Sequence, residues 1–363
     1  MRRNGYVLAI CLLLFIQSGI YGQAKDSAKL KISGYVDAYY AMYNDSVGRG
    51  NFQKFPSISP ISNNFGLNTA QITFKYDGKN VRAQAVFHYG DIARSAWATD
   101  FNNIMKVHVG VRISKKAWID AGLFRTHFGT EGLLPKENIT SSVSVNTYYE
   151  PYYESGARLE YAPTSKWMID VYVLNGYNVF TDNNNKKSLG MVINYNPNER
   201  INVGYSNYLG DDSPDTSSAS HFRVHQNVFF NYNKNKVTLQ IGGDVCMQQN
   251  SQIAHPDKWA MMASGVASVK YNFAGAFSIY GRGEFFNDPD GFMSGISSDK
   301  MGKLTGYKLW GVTTGLEFTP SDNSYIRLEG RELVMDKDQE IFRRDGMNRN
   351  TRGEVMLNMG ITF

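Results

Sequence analysis

From Leu30 to the final Phe363 the chain alternates apolar and polar positions with a period of two, in segments of about ten residues. The first segment puts Leu30, Ile32, Val36, Ala38, Tyr40 and Met42 on one side of an extended strand and Lys31, Ser33, Tyr35, Asp37 and Tyr39 on the other. Further on, Val81, Ala83, Ala85, Phe87 and Tyr89 separate from Arg82, Gln84 and His88. Likewise Met105, Val107, Val109, Val111 and Ile113 separate from Lys106, His108 and Arg112. In each segment the charges keep to one side. The pattern does not fade at the end, where Val355, Leu357, Met359, Ile361 and Phe363 oppose Glu354, Met356, Asn358, Gly360 and Thr362. A terminus that keeps its alternation to the last residue must be paired on both edges.

The connections alternate too. Short links fall at 77–80, 114–116, 163–166, 196–199, 233–235, 274–275 and 320–323. Long ones fall between them at 44–64, 91–103, 128–155, 175–187, 210–222, 249–258, 287–304 and 335–351. A β-sandwich also alternates along its strands but does not require this short-long order. The pattern predicts an all-β fold: a transmembrane antiparallel up-and-down β-barrel of about 16 strands, over 30–363, with short periplasmic turns and long extracellular loops. The last strand then pairs with the first, so every backbone group is satisfied in a medium without water. The side assignment has an energetic reason, since an Arg or Lys facing lipid at the midplane costs about 2–4 kcal/mol.

Aromatic residues sharpen this picture. Outward positions beside the short links are Tyr76, Tyr161, Trp167, Tyr195, Tyr232, Phe273, Phe277, Phe318 and Phe363, and the other rim shows Tyr40, Tyr89, Tyr205 and Phe285. Two interfacial belts are expected where strands leave the hydrocarbon. The 23 Tyr, 21 Phe and 34 Gly against only 10 Pro suit curved strands ending at a boundary. A mean hydropathy of -0.38 would suit a soluble protein, but a polar lumen conceals a lipid-facing half in any average.

The opening MRRNGYVLAICLLLFIQSGIYG has a basic start, a short apolar core and a small-residue exit, so residues 1–22 are expected to be a cleaved signal peptide, followed by a short lead at 23–29. Its loss changes the net charge from +5 to a milder excess, which argues against nucleic acid as a partner. It also leaves Cys246 as the only cysteine, excluding an intrachain disulfide.

A barrel this wide leaves an aqueous channel unless something plugs it. The longest connection, 128–155, is the expected constriction loop, carrying Glu131, Glu137, Glu150 and Glu154 together with Tyr148, Tyr149, Tyr152 and Tyr153. Folded inward, its carboxylates would face a basic wall of Arg82, Lys106, Arg112, Arg158, Arg282, Arg327 and Arg331, a transverse field of the kind that sets ion selectivity. The plainer alternative pairs those arginines with neighbouring Asp120, Glu160, Glu284 and Glu329. The tyrosines could equally form a stacking platform for sugars or pack on themselves. Two acidic stretches, Asp211 to Asp215 and Asp288 to Gly291, lack the spacing of a calcium loop, and His88, His108 and His225 show no metal-ligand spacing. No metal or cofactor is called for, and no local motif marks a nucleophile and its base.

Several stretches resemble a known family. SGYVDAYYAMYN, AWIDAGLFRTHFGTEGLLPKENITSS and YYEPYYESGARLEY are similar to the OmpL-like, type-2 β-barrel porins of the Bacteroidetes. The resemblance is carried most by Asp120, Ala121, Gly122 and Phe124, then Gly129 with Glu131, then Tyr152, Tyr153, Glu154 and Gly156. Arg125 to Gly129 departs from the relatives' proline-serine-histidine-isoleucine-glycine run. The resemblance implies an outer-membrane channel of a Gram-negative bacterium. The expected function is therefore passive diffusion of small hydrophilic solutes through a lipid-embedded barrel, for which a homo-oligomer is compatible. A non-conducting barrel serving as scaffold or surface receptor for a protein or glycan is the alternative, and a barrel enzyme is a third reading without a motif.

Overall fold

The computed structural model describes residues 30–363. The expected signal peptide and lead lie outside the described residues. Sixteen strands form one closed antiparallel barrel. They are β1 (Leu30–Tyr43), β2 (Asn64–Asp77), β3 (Val81–Tyr89), β4 (Ile104–Ser114), β5 (Ala117–Arg125), β6 (Tyr153–Thr164), β7 (Trp167–Leu174) and β8 (Ser188–Asn198). The second half comprises β9 (Ile201–Asp211), β10 (Phe222–Lys234), β11 (Val237–Gln248), β12 (Ala260–Ala274), β13 (Phe277–Asn287), β14 (Lys308–Ser321), β15 (Ser324–Met335) and β16 (Thr351–Thr362). All seven short links join strands at one end, called here the turn end, and both described termini lie there. The long connections gather at the other, the loop end.

Turn chemistry accounts for the tight links. Between β10 and β11 the connection is Asn235-Lys236, with Asn235 at φ 54°, and between β12 and β13 it is Gly275-Ala276, with Gly275 at φ 55°. Asn and Gly are the residues that tolerate this left-handed region.

Closure is made by β1 against β16, in register from Tyr35 opposite Thr362 to Tyr43 opposite Glu354. The Gly34 amide donates to the Phe363 carbonyl at 2.7 Å, and the Phe363 amide donates back to Gly34 at 3.1 Å. A Cβ on Gly34 would sit 2.4 Å from the Phe363 ring, so glycine there lets the terminal aromatic lie flat on the outer wall. The chain's last residue is thereby a structural part of the cylinder.

The expected face assignment holds along β1 and β3, where Tyr35, Asp37, Tyr39 and His88 are buried inside while Met42, Val81, Phe87 and Tyr89 stand exposed outside. In β4 one position is corrected. Met105 is 1% exposed and inside, because the β3–β4 ladder carries a bulge between Val86 and Phe87 that shifts the register by one residue. Its sulfur receives the Gln71 side-chain amide at 3.2 Å. The outer face also carries a charge. Glu332 pairs laterally with Val312 and Gly353, both outward, near the loop-end ring pair of Phe285 and Trp310. On the same face Tyr205 donates to the Gln226 side-chain oxygen and accepts from the Asn207 side-chain amide.

The lumen is not polar throughout. Near the loop end the inward residues Cys246, Met262, Phe286, Leu309, Leu333 and Met335 are buried with Phe342 and Val145 in one apolar cluster, against which Phe55, Tyr149 and Tyr307 pack. A second cluster joins Tyr35, Ile92, Trp97, Met105, Leu133, Leu134, Val143 and Tyr152. Loops thus fill the upper barrel as a core would.

Candidate functional site

The segment 126–152 leaves β5 at Arg125 and returns to β6 at Tyr153. Its neck is tied where the Thr126 amide donates to the Tyr152 carbonyl at 3.1 Å. Gly129 sits at φ 108°, and a Cβ there would meet the Glu150 carboxylate at 2.3 Å, so the neck can form only around glycine. Beyond it, Pro135 opens a short 3₁₀ turn to Glu137, the Asn138 side chain clamps the Gly132 amide and carbonyl, and Ser144 caps the short helix Val145–Tyr149 through the Thr147 amide.

Across the barrel this loop meets a prepared wall. Arg282 on β13 donates to the Ser142 carbonyl at 2.6 Å, Thr140 Oγ1 at 2.9 Å and Glu131 Oε1 at 3.0 Å. Arg327 on β15 donates to the carbonyls of Pro135, Thr140 and Asn138 while its Nε holds Glu317 at 2.7 Å. Wall carboxylates do the reverse job. Glu329 accepts the amides of Ser141 at 2.6 Å and Ser142 at 3.0 Å, and Glu284 accepts that of Val145 at 2.7 Å while paired with Arg331 at 2.7 Å. On β10 and β11, Asn227 reaches Thr130 Oγ1 and Gln240 reaches the Thr130 carbonyl. The loop therefore runs from β5 across to β10, β11, β13 and β15, and its orphan backbone groups are satisfied by charged side chains of the opposite wall.

The basic side chains of the wall fall into two groups. Arg158 pairs with Asp120 on the neighbouring strand β5, and Arg82, on β3, reaches across β4 to Asp120 and further to Glu160 on β6. Arg82 and Arg112 lie over the ring of inward Trp118 at 4.6 and 5.0 Å, close to the turn-end mouth. Lys106 is half-buried inside, beside the bulge. Arg282 and Arg331 are at most 8% exposed and face packed protein, while Arg327, 4% exposed, borders the cavity described below.

Among the loop carboxylates, Glu131 alone meets a residue of the expected basic wall, Arg282. Glu137 is gripped by the fork of Arg125 at 2.6 and 2.7 Å, and Glu154, already in β6, holds His127 Nδ1 at 2.8 Å. Glu150 accepts the Asn146 side-chain amide at 2.7 Å. Burial, with Asp244 and Glu131 nearby, pushes the Glu150 carboxyl well above its ordinary range. Burial raises Glu137 as well, but the Arg125 guanidinium outweighs it and leaves that carboxyl below its usual value. For His127 burial works against the charged form, yet Glu154 and the Asn207 carbonyl outweigh it and raise its pKa.

The tyrosines are no open platform. Tyr149 stacks on Phe286 with centroids 5.2 Å apart, Tyr148 meets Tyr149 and Phe55 edge-on, Tyr153 packs on Trp97 and Phe180, and Tyr152 is buried. The acidic stretches are spent locally: Asp288 accepts the amides of Met293 and Ser294, and Asp211 pairs with Lys186.

The turn-end half differs. A cavity of about 620 Å³ opens under the loop, roofed by Lys136 to Ile139 and walled by β8 to β12 with Arg327 of β15. Its wall carries inward amides: Asn231 Nδ2 donates to Asn202 Oδ1 at 3.2 Å, and Asn202 Nδ2 to Asn196 Oδ1 at 3.0 Å. Sequence reasoning passed over this constellation. Its signal was present as the repeated Asn-Tyr-Asn of 194–196 and 231–233, each with an inward pair of amides around an outward belt tyrosine. On the outer face at the turn end, Trp167 stacks on Tyr195 and Phe277 on Phe318 across strand pairs, Phe273 lies beside Phe277, and Tyr76, Tyr161, Tyr232 and Phe363 are on the same side of their strands.

Comparison with known proteins agrees with this geometry. The family model described as "Putative beta-barrel porin-2, OmpL-like" matches residues 29–363. No curated protein matches the sequence. Among solved structures, an anion-selective porin from Comamonas acidovorans is similar with a TM-score of 0.61 at 8% identity, over 93% of this chain and 100% of that one. The outer membrane channel DcaP of Acinetobacter baumannii gives 0.60 at 11% identity, over 93% and 97%. The trimer form of OmpT, an outer membrane protein of Vibrio cholerae, gives 0.58 at 9% identity, over 93% and 100%. At such identities the likeness concerns the fold.

Proposed function

This chain belongs to the OmpL-like β-barrel porin-2 family, and on that premise we propose that it admits small hydrophilic solutes by passive diffusion across an outer membrane. The turn end faces the periplasm and the loop end the exterior, after export directed by residues 1–22. The observation that carries this reading is a barrel of sixteen strands whose turn-end half holds a polar cavity beneath a loop rather than a packed core. A diameter set by sixteen strands leaves an aqueous channel once an obstruction moves. Segment 126–152 is that obstruction, and because it is held by ion pairs and side-chain hydrogen bonds rather than by strand pairing, its release leaves every barrel ladder intact. The protein works as a channel and not as an enzyme. A homo-oligomer is part of the proposal, supported by the similar Vibrio protein solved in a trimer form.

Planar-bilayer recording from folded, purified protein tests this. Discrete current steps, enlarged when 131–147 is replaced by a short Gly-Ser linker, are expected; silence from both forms would reject it. One observation favours a second reading. The apolar packing of Phe55, Tyr149, Phe286 and Phe342 at the loop end suits a sealed barrel serving as scaffold or receptor, and that reading requires the silent outcome.

A further inference from the structure

We propose that the turn-end chamber takes up small anions, carboxylates and phosphates, in preference to cations of the same size, through the ammonium groups of Lys136 and Lys270. The inference rests on the channel reading above and gives that channel a sign.

The two ends of the barrel differ in charge. The seven turns between strands hold six basic residues, Lys79, Lys115, Lys116, Lys166, Arg200 and Lys236, against Glu199 and Asp322. The long connections other than 126–152 hold twelve basic residues against fourteen acidic ones. A solute entering between the turns therefore crosses a ring of positive charge that the other mouth lacks. Walls of low dielectric focus such a field into the opening, and rings of Lys and Arg favour anions.

Inside, the same sign continues. Nearer the turns than the chamber of about 620 Å³ lies a second cavity of about 510 Å³ between β11 and β14, and Thr238 and Lys270 line both. Glu317 is shared by Lys270 at 3.0 Å and Arg327 at 2.7 Å, so two cations there meet one carboxylate. Arg327 is buried and bonded to three loop carbonyls, which leaves Lys270, its side chain 26% exposed, as the one that reaches open space. Lys136 stands exposed in the roof with its ammonium 4.2 Å from the centre of the Tyr35 ring, while its neighbour Glu137 is held by Arg125. Among the other lining residues Glu199 offsets Arg200 and Asp322 offsets Lys236. The rest of this half cancels as well. Arg82, Arg112 and Arg158 face Asp120, Glu160 and Asp170, Lys75 pairs with Asp77, and Lys31 is offset by the buried Asp37. The excess that remains is Lys136 in the roof and Lys270 where the two cavities meet. An ammonium is a point charge that pairs with carboxylate or phosphate without demanding one geometry, which suits passage better than tight capture.

The test compares two thiol reagents of similar size and opposite charge, the sulfonatoethyl and trimethylammonioethyl methanethiosulfonates, on folded full-length protein in an uncharged detergent. Cysteines are placed singly at Asn202 and Thr238, which line the chamber, in a Cys246→Ala background. Each rate is divided by that of the same reagent with a free small thiol, and folding is checked by heat-shifted electrophoretic mobility. At low salt the anionic reagent is expected to be favoured about tenfold at both cysteines, with the ratio falling toward unity at 1 M salt, where the screening length is about 3 Å. The ratio should drop about threefold in Lys136→Gln/Lys270→Gln, in which Glu317 keeps Arg327, and be retained in Lys136→Arg/Lys270→Arg. No preference, or a preference for the cationic reagent, would overturn the proposal. So would a preference undiminished in the folded double glutamine variant, which would assign it to the turn lysines alone. Anion preference without bilayer current would reject the channel and leave the anion chamber, while current without preference would do the reverse.

Discussion

The two halves of this lumen are built from the same strands and behave as different materials. Toward the loop end the inward residues are Met262, Phe286, Leu309, Leu333 and Met335, and incoming loops seal against them. Toward the turn end the inward residues of β8 to β10 are Asn196, Asn202, Asn231 and Asn233, and a cavity remains. Between them lies a belt of charge, with Arg282, Glu284, Arg327 and Glu329 holding the underside of segment 126–152. A strand in a barrel therefore carries three inner environments along its length, and only the lowest resembles a water-filled pore.

The largest expected effect comes from breaking the belt at its most connected point. Arg282→Ala leaves Glu131 and Glu284 short of a buried partner, a change of the kind that costs about 3–5 kcal/mol. Hydrogen exchange at 138–147 is expected to accelerate by orders of magnitude while the β-ladders stay protected, and conductance to rise. Arg282→Lys keeps the charge but not the fork, so it should recover only part of the protection.

A smaller loss is expected from Glu329→Gln. The amides of Ser141 and Ser142 would still meet an oxygen, but a neutral one, and charge-assisted bonds are roughly twice as strong as neutral ones. Faster exchange confined to those two amides and their neighbours is the outcome to measure; acceleration spread through the whole barrel would point to a fold defect instead.

Much of this was legible in the sequence, and the reasons are physical. Alternation with a period of two, a short-long order of connections and outward aromatics such as Trp167, Phe277 and Phe363 all follow from lipid on one side and closure of the backbone ladder. That is why the strand number and the final β1–β16 pairing could be read in advance. The site was legible only in composition. The segment 128–155 stood out by length and acidity, yet Arg125 rather than the expected wall takes Glu137, and Glu329 takes backbone amides rather than arginine. Pairing across a lumen depends on which rotamer reaches which wall, and strand parity carries no such information. Met105 was misassigned for a similar reason, since a bulge leaves no mark in the apolar pattern. The apolar loop end was concealed because Met262 alternates with outward Met261 and Ala263, as apolar as itself, and because at Leu333 the outward neighbour Glu332 carries the charge instead.

A pH effect of moderate size separates the neck of the loop from its far anchor. Glu150 has its pKa raised by burial and by Asp244, so its contribution is complete below the ordinary carboxyl value and is lost as pH rises through the raised one. Loop exchange should therefore quicken as pH climbs well above the ordinary carboxyl range, and Glu150→Gln should flatten that rise. Glu137 has the opposite sign: held low against its burial by Arg125, it contributes above the ordinary value and is lost as pH falls through the lowered one. Glu137→Gln should accordingly blunt loosening on acidification and leave the alkaline limb unchanged.

The smallest effect belongs outside the lumen. Phe277→Ala removes a stack on Phe318, worth about 0.5–1.5 kcal/mol beyond area burial. It should lower the barrel's unfolding temperature slightly without altering loop exchange or the cavity, which makes it the control for the variants above.

The contrast between the two halves is tested most directly by water access. In a Cys246→Ala background, single cysteines at Asn202, Asn231, Ser141 and Tyr149 can be treated with a charged maleimide on proteoliposomes of known orientation. Rapid labelling of Asn202→Cys and Asn231→Cys from the turn side alone is expected, with Ser141→Cys and Tyr149→Cys unreactive from both sides until Arg282 is also replaced. Labelling of Ser141→Cys from the loop side in otherwise native protein, with Asn202→Cys shielded, would contradict the division described.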